Sequence, residues 1–410
     1  MSLLVGCLPR EGNKDMKNGT RKWLFCAVLV VLLAGLTGMA AAKELLIGNM
    51  QDISGPTSVW GNAVTRGAEI AIEKINAAGG IDGAMLKLVT MDTKANVQEA
   101  IKGYNSLVSS GVVAVVGPPV SNIGLALGPI ANKAGVPVVG SFIDPRVTVG
   151  EDGKPHAAMF LMQPSSIQYS EIMASYTIDV LGLKKVGVLY DQSNAFAVSL
   201  MKPYVDYIKA AGGEIVSEQV YTKGDKDFKT QLLKIKDAGA DCLYFPNYIQ
   251  DAVLAMNQRK QVGLDVPVIG GLDFAPPFAS LVNDPEATND IYLANNFSET
   301  EPQLKEVWEI YKTKYGEDPV NKVFLGYDKV LLIREAMKLG GGTSAAQVMA
   351  GLSQVKELQG TTGVLTISPE THQPVGLSMV MYKIEKGKYV ELGRYVPEKH
   401  KEPSRSLAYP

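Results

Sequence analysis

One serine stands where the predicted chain turns from a buried strand into a helix, and its position suits the binding of an anion. Ser121 follows the apolar run Val112–Val116 and the strand-breaking segment Gly117-Pro118-Pro119. The residues after it carry apolar side chains at helical spacing, which predicts a helix that begins here. A hydroxyl beside the free N–H groups of a helix start can hold a carboxylate. The alternative is that Ser121 only caps the helix.

An acidic residue follows another predicted strand. Asp273 comes shortly after the apolar run Val266–Gly270. A carboxylate in a cleft that closes over a ligand needs a cation or hydrogen bonds, because an unpaired buried charge is costly. A ligand ammonium would satisfy it, so we expect α-amino acids to bind better than their deaminated analogues. The alternative is a solvated loop aspartate, or one that caps the residues after it.

Aromatic residues also stand at predicted strand ends. Trp60 lies in the first loop, Phe142 follows the fourth strand, Phe196 opens a helix and Tyr248 follows the strand Cys242–Phe245. A cleft lined by aromatic side chains with a few polar groups is typical of a small-molecule site. The alternative is that these rings fill the core.

The sequence contains no motif for metal binding, cofactor binding or catalysis. The chain has three histidines, His156, His372 and His400, which are far apart and in no ligand spacing, so no metal site is predicted. No phosphate-binding glycine loop and no nucleophile motif occurs, so no cofactor and no enzymatic activity are predicted. The formal net charge of −2 and the lack of a basic run argue against nucleic acid as a partner. Cys242, inside an apolar strand, is predicted to be a buried, inert thiol.

The elements that position these residues form two series. Residues 44–141 alternate between strand and helix patterns, and a second alternating series begins near Ser166. Such alternation predicts parallel sheets covered by helices, here in two lobes, with ligands bound outside the carboxyl ends of the strands. A turn at residues 385–388 predicts that Leu377–Tyr395 is a hairpin that joins an existing sheet. We therefore expect the first lobe to contain 43–163 plus 298–365, and the second 164–297 plus 366–396, with a flexible tail at 397–410.

The N-terminus predicts export. Basic residues precede an apolar run from Trp23 to Met39, and Ala40-Ala41-Ala42 follows. This order is typical of a signal peptide, here 1–42, cleaved after Ala42, which places the mature protein in the periplasm. One alternative is a membrane anchor. Another concerns the start of translation: residues 1–15 would be an upstream artefact and Met16 the true start.

Several segments resemble the periplasmic leucine/isoleucine/valine-binding proteins of ABC transporters. The matching segments are ISGPTSVWG (53–61), AIEKINAAGGIDG (71–83), VVGPPVSNIGLALGPIANKAGVPVV (115–139), AAGGEIVSEQVYTKGDKDF (210–228), YKTKYGEDP (311–319) and LGYDKVLL (325–332). They keep the family order over residues 44 to 395. The resemblance implies the type I periplasmic-binding fold, an α/β fold of two Rossmann-like lobes joined by three crossover strands that act as a hinge.

The resemblance also implies roles for single residues. Ser121 matches a serine that holds the ligand carboxylate, and Asp273 matches the acid that pairs with the ligand ammonium. The aromatic matches are Trp60, Phe196 and Tyr248. The segment after the fourth strand departs from the family, because Gly140-Ser141-Phe142-Ile143-Asp144 is one residue shorter than the usual S-P-S-A-T segment and has Ile143 in the place of the threonine. Ser141, Phe142 and Ile143 are predicted to bind the ligand, and the backbone amides of this segment are expected to serve its carboxylate.

The function that follows is solute capture for transport. The resemblance implies a receptor that binds an amino acid of branched-chain type, or a related small carboxylate, between its lobes. Its partners would be ABC permease subunits with a cytoplasmic ATPase, and it would meet the membrane only through that permease. One alternative is a sensory or regulatory receptor of the same fold. Another is a receptor for an aromatic or fatty carboxylate or an amide, and an enzyme is the third.

Overall fold

The structure is a computed structural model that describes residues 44–150, 153–298, 300–375, 379–395 and 397. The predicted signal peptide lies outside the described residues, as does the predicted tail apart from residue 397. Within the described ranges, no helix is both long and apolar enough to cross a membrane.

The first part of the chain alternates between parallel strands and helices. Runs of Val, Ile and Leu form its strands, because branched side chains suit a sheet that is covered on both faces. The elements are β1 (Glu44–Gln51), α1 (Ser58–Ala77), β2 (Met85–Asp92), α2 (Val97–Ser109), β3 (Ala114–Val116), α3 (Ser121–Ala134), β4 (Val138–Gly140) and β5 (Met159–Leu161).

The second part repeats this alternation, after a helix that ends in a π-helical turn at Tyr176–Val180. The elements are α4 (Ser166–Ser175), β6 (Lys185–Asp191), α5 (Ala195–Ala210), β7 (Glu214–Tyr221), α6 (Lys229–Asp237), β8 (Cys242–Phe245), α7 (Ile249–Gln261), β9 (Val268–Gly270), α8 (Phe278–Leu281) and β10 (Ile291–Asn295).

The last part holds three helices and five strands. They are α9 (Lys305–Tyr315), α10 (Asn321–Leu339), α11 (Ala345–Leu352), β11 (Leu358–Gly360), β12 (Gly363–Ile367), β13 (Pro374–Val375), β14 (Met379–Glu385) and β15 (Lys388–Tyr395). The predicted hairpin is confirmed, because β14 and β15 pair antiparallel around residues 385–388.

Two large sheets organise the described chain. The first has the strand order β2-β1-β3-β4-β5 and is parallel throughout; Ile47 of β1 pairs with Leu88 on one side and Ala114 on the other. The second has the order β15-β14-β10-β9-β8-β6-β7, with β14 and β15 as its antiparallel edge. The predicted parallel α/β sheets are confirmed.

We call the first sheet with α1–α3 and α9–α11 the first lobe, and the second sheet with α4–α7 the second lobe. Each sheet is covered on both faces, because two separate apolar clusters pack around each. Trp60 on α1 lies in a cluster of the second lobe, and Val320 packs against clusters of both. The exact residue limits given above for the two lobes stay a prediction.

The sequence patterns missed some elements. Residues 142–164 show no regular pattern, yet they contain β5, whose three residues complete the edge of the first sheet. The strands β11, β12 and β13 form a small antiparallel sheet that was also not predicted. Such short strands carry too few residues to display a period, so pairing with neighbours decides them.

Candidate functional site

The loops after the strands of the two sheets contact each other across a cleft. The backbone N–H of Ala195 donates to Asn122 Oδ1 at 2.9 Å, and Gln250 Nε2 donates to the Pro56 carbonyl at 2.6 Å. Both hydrogen bonds join a residue of the first lobe to one of the second. The lobes therefore meet at the strand ends where the sequence predicts a ligand site.

A cavity of about 440 Å³ lies at this meeting place. Residues of both lobes line it, among them Pro56, Val120, Asn122, Asp191, Asn194 and Tyr248. This volume falls in the range of pockets for small molecules.

Ser121 is fully buried at the start of α3, and it does not cap the helix. The N-cap residue is Val120, which forms no side-chain cap, and Ser121 Oγ has no hydrogen-bond partner among the residues described. The cap alternative is therefore wrong. A buried hydroxyl without a partner at the positive end of a helix dipole is a good anchor for an anion. The role of Ser121 in binding stays a prediction.

We expect Ser121→Ala to weaken the binding of a carboxylate ligand about tenfold, because a hydrogen bond to a charged group contributes about 1.5–3 kcal/mol. Isothermal titration calorimetry checks this. Ser344→Ala is the matched control: Ser344 caps α11 in a capping box with Gln347. The control should lower the unfolding free energy by about 1 kcal/mol and leave affinity unchanged. Equal affinity of Ser121→Ala and wild type would contradict the assignment.

The three residues that follow β4 each lie in a different environment. Ser141 is buried and its Oγ has no hydrogen-bond partner among the described atoms, as for Ser121. Phe142 packs in the first-lobe cluster around Ile123 and Val147, whereas Ile143 packs in a cluster of the second lobe. The structure thus brings the Ser141 hydroxyl to a buried polar position and places the two following side chains in cores.

Asp273 is buried in a 3₁₀ turn, Leu272–Phe274, directly after β9. Burial raises the pKa of Asp273 to about 6, while Lys322 and the indole N–H of Trp60 act in the opposite direction. Trp60 belongs to the first lobe, and its indole N–H acts on the carboxylate across the cleft without regular hydrogen-bond geometry. The solvated-loop alternative for Asp273 is therefore wrong.

Tyr248 brings an aromatic ring and a hydroxyl from the second lobe. Its ring stacks on Phe196 with ring centres 4.8 Å apart and an interplanar angle of 28°. Burial raises the pKa of Tyr248 well above its usual value, and the backbone N–H of Ser121 interacts with its hydroxyl across the cleft without regular hydrogen-bond geometry. Ser121, Tyr248, Trp60 and Asp273 are thus brought together by the two lobes.

Three polar residues of this region were not predicted. Gln51 donates from Nε2 to the carbonyls of Val116 and Gly117, and two lysines of α10, Lys322 and Lys329, are buried. The lysines stand seven residues apart, and thus on one face, in a helix with many apolar residues. A charge on the buried stripe of a helix is the signal that could have revealed them.

Metal and thiol chemistry find no support in the described ranges. No three His, Cys, Asp or Glu side chains come together there as a group that could hold a metal ion. Cys242 lies buried in β8, and burial raises the pKa of its thiol to about 12. The prediction of a buried thiol is confirmed, and because the thiolate is the reactive form, its inertness stays a prediction.

Two parallel α/β lobes that meet over a cleft with buried hydroxyls, aromatic rings and an acid define the class of bilobal solute-binding proteins. A family model described as periplasmic binding protein matches residues 44–388. The chain belongs to this family, and the resemblance to the leucine/isoleucine/valine-binding proteins is confirmed.

Similar proteins span nearly the same length. The Leu/Ile/Val-binding protein homolog 3 of Brucella melitensis is 27% identical, over 88% of this chain and 98% of that protein. The homolog 7 of Brucella suis is 30% identical, over 84% and 88%. Among solved structures, the branched-chain amino acid transporter substrate binding protein LivJ from Streptococcus pneumoniae, in complex with isoleucine, is 30% identical with a TM-score of 0.77, covering 85% of this chain and 100% of that one.

A further solved structure shares the fold at lower identity. The solute binding protein of an ABC transporter from R. palustris, in complex with benzoate, is 19% identical with a TM-score of 0.76, covering 87% of this chain and 97% of that one. These matches confirm the predicted type I periplasmic-binding fold.

Proposed function

We propose that this protein is the solute-binding component of an ABC importer. It acts in the periplasm after cleavage of its signal peptide, binds a small carboxylate between its lobes and delivers it to permease subunits with a cytoplasmic ATPase. The ligand is a branched-chain amino acid or a related acid, as the names of the relatives suggest, and it leaves the protein chemically unchanged. Trp60, Ser121, Ser141, Phe196, Tyr248 and Asp273 form the ligand site.

The observation that carries this proposal is the buried hydroxyl of Ser121. It is fully enclosed at a helix start, has no hydrogen-bond partner among the residues described, and has Tyr248 of the opposite lobe beside it. A buried polar group without a hydrogen-bond partner is costly, so the presence of this hydroxyl favours a ligand that supplies the missing hydrogen bond. Because both lobes contribute, binding should couple to lobe closure.

We expect a carboxylate ligand to reduce the radius of gyration of the protein in small-angle X-ray scattering. The reason is that the bound ligand stabilises the arrangement in which the two lobes touch. A thermal-shift screen of amino acids, aromatic acids, amides and short fatty acids first identifies the ligand; at 100 times its Kd it adds about 2.7 kcal/mol of stability.

The double variant Asn122→Ala/Gln250→Ala, which removes the two cross-lobe hydrogen bonds described above, should increase the radius of the ligand-free protein. A tight ligand that leaves the scattering unchanged would contradict closure. Delivery to a permease is checked separately: a strain that lacks this protein should lose uptake of the radiolabelled ligand and regain it on complementation.

A further inference from the structure

Two buried side chains donate hydrogen bonds to one backbone carbonyl next to the ligand site. The carbonyl belongs to Gly117, four residues before Ser121. Gln51 Nε2 donates to it at 2.9 Å and Lys329 Nζ at 3.0 Å. Both side chains are fully buried, and they come from different elements, Gln51 from β1 and Lys329 from α10. We call Gln51 and Lys329 the Gly117 donors; together they can use both lone pairs of the carbonyl oxygen.

The buried amine of Lys329 does not need a charge to act as a donor. Burial is the main cause that lowers the pKa of Lys329 well below its usual value. An amine donates hydrogen bonds with or without its additional proton. Because the Lys329 amine is enclosed and its hydrogen bond goes to a backbone oxygen, its role concerns the position of the main chain.

The segment between Gly117 and Ser121 depends on side chains for its hydrogen bonds. It contains Pro118 and Pro119, and proline has no backbone N–H to donate. The N–H of Gly117 donates to the Val139 carbonyl at 2.8 Å, which ties the start of the segment to β4. The Gly117 donors therefore hold the chain directly before two residues that cannot donate from their own backbone.

The same segment packs closely against the residue before Ser141. A Cβ built on Gly117 would lie only 3.1 Å from Gly140 Cα, so glycine permits the approach of the two chains. Ser141 has a separate support, because Gln163 Nε2 donates to the Ser141 carbonyl at 2.5 Å. A shift of Gly117 should therefore move Ser121 while Ser141 stays in place, and the spacing of the two unpartnered hydroxyls would change.

We propose that Gln51 and Lys329 are positioning residues that set the place of the Ser121 hydroxyl through the Gly117 carbonyl. This inference rests on the function proposed above, in which Ser121 binds the carboxylate of the ligand. A hydrogen bond weakens steeply as its distance and angle leave the preferred range, so a serine held in place before binding gives the stronger contact. Neither positioning residue needs to touch the ligand.

The test compares a carboxylate with its primary amide, because a hydrogen bond to a charged group is about twice as strong as one to a neutral group. The probes are 4-methylpentanoate with 4-methylpentanamide, and leucine with leucinamide, titrated calorimetrically into the full chain. Gln51→Leu and Lys329→Met each remove the donor and keep an apolar side chain of similar size. We expect each variant to bind the carboxylate about fivefold more weakly and the amide at most about twofold more weakly.

A double-mutant cycle separates positioning from a general loss of stability. In a Ser121→Ala background, Gln51→Leu should weaken carboxylate binding by less than about twofold more, because the hydroxyl that Gln51 positions is gone. Tyr104→Phe is the matched control, since Tyr104 Oη donates to the Val136 carbonyl at 2.7 Å inside the same lobe. It removes a comparable buried hydrogen bond, so it should lower the melting temperature and leave the affinity for both probes unchanged.

Three results would overturn the inference and leave the transport function standing. They are wild-type affinity in both variants of the Gly117 donors, equal weakening of carboxylate and amide binding, and a fivefold loss that persists in the Ser121→Ala background. If Gln51→Leu does not fold, Gln51→Asn takes its place, because its amide is one methylene shorter and cannot reach as far. A wild-type protein that binds no carboxylate from these pairs or from the wider screen overturns both proposals.

Discussion

Gly67→Ala is expected to destabilise the protein by about 2–4 kcal/mol, because it forces apart the two helices that carry cleft residues. Gly67 lies on α1, and a Cβ built there would come closer than 3.0 Å to the Val323 carbonyl of α10. Gly326 on α10 meets the Val64 carbonyl of α1 in the same way. The clash involves backbone atoms, so no side-chain rotation relieves it. Chemical denaturation measures the loss.

The same substitution should weaken ligand binding, since α1 carries Trp60 and α10 carries Lys322. Gly103→Ala in α2 is the control: the nearest atom to its added Cβ is Met91 Cβ at 3.2 Å, and alanine is favoured over glycine in a helix by about 1 kcal/mol. Its unfolding free energy should stay within about 1 kcal/mol of wild type. A Gly67→Ala protein as stable as this control would show that the helices move apart without cost.

Much of the fold could be predicted because the apolar pattern reports it directly. Runs such as Val112–Val116 alternate with helical stripes, and this alternation defines parallel sheets with helices on both faces. The boundaries of the helices could be predicted less well, because hydrogen bonds and capping groups in the folded chain decide where a helix begins. The first helix, for example, begins at Ser58, within the segment that the sequence suggests as a loop.

The candidate site could be predicted only in part. Strand ends are visible in a sequence, so Ser121 and Asp273 could be placed at the cleft. The core into which a side chain points is not visible: Phe142 and Ile143 are neighbours, yet they pack in the cores of different lobes. Successive side chains of an extended segment point to opposite sides, and only the arrangement of the lobes decides what lies there.

The balance of charge was the hardest feature to predict. Asp273 and Lys322 are separated by 49 positions in the sequence, and nothing local links them. Their interaction exists because α10 begins where the lobes meet and Trp60 reaches across. A prediction based on Asp273 alone therefore assigns its counter-charge to the ligand, whereas in the folded chain the charge of Lys322 also acts on this carboxylate.

The pH dependence of binding should reveal whether the ligand brings a cation to Asp273. Its pKa is raised to about 6, so the folded protein binds a proton there more readily than the unfolded chain. The stability contributed by this proton is therefore present below about pH 4 and is lost as the pH rises through about 6. A bound carboxylate raises this pKa further, so binding takes up protons. We expect the affinity for an amine-free carboxylate to increase about fivefold from about pH 7.5 to about pH 5.5.

Asp273→Asn should abolish this increase, because the amide does not titrate in this range, and Asp284→Asn is the control. The side chain of Asp284 is accessible to solvent and pairs with Lys260. This pairing lowers the pKa of Asp284, so its carboxyl group does not titrate between these two pH values. Calorimetric titrations of 4-methylpentanoate at both pH values, with all three proteins, give the slopes. A ligand ammonium at Asp273 would instead lower the pKa of Asp273, and affinity would then decrease on acidification. The sign of the slope thus shows whether or not the ligand brings a cation to Asp273.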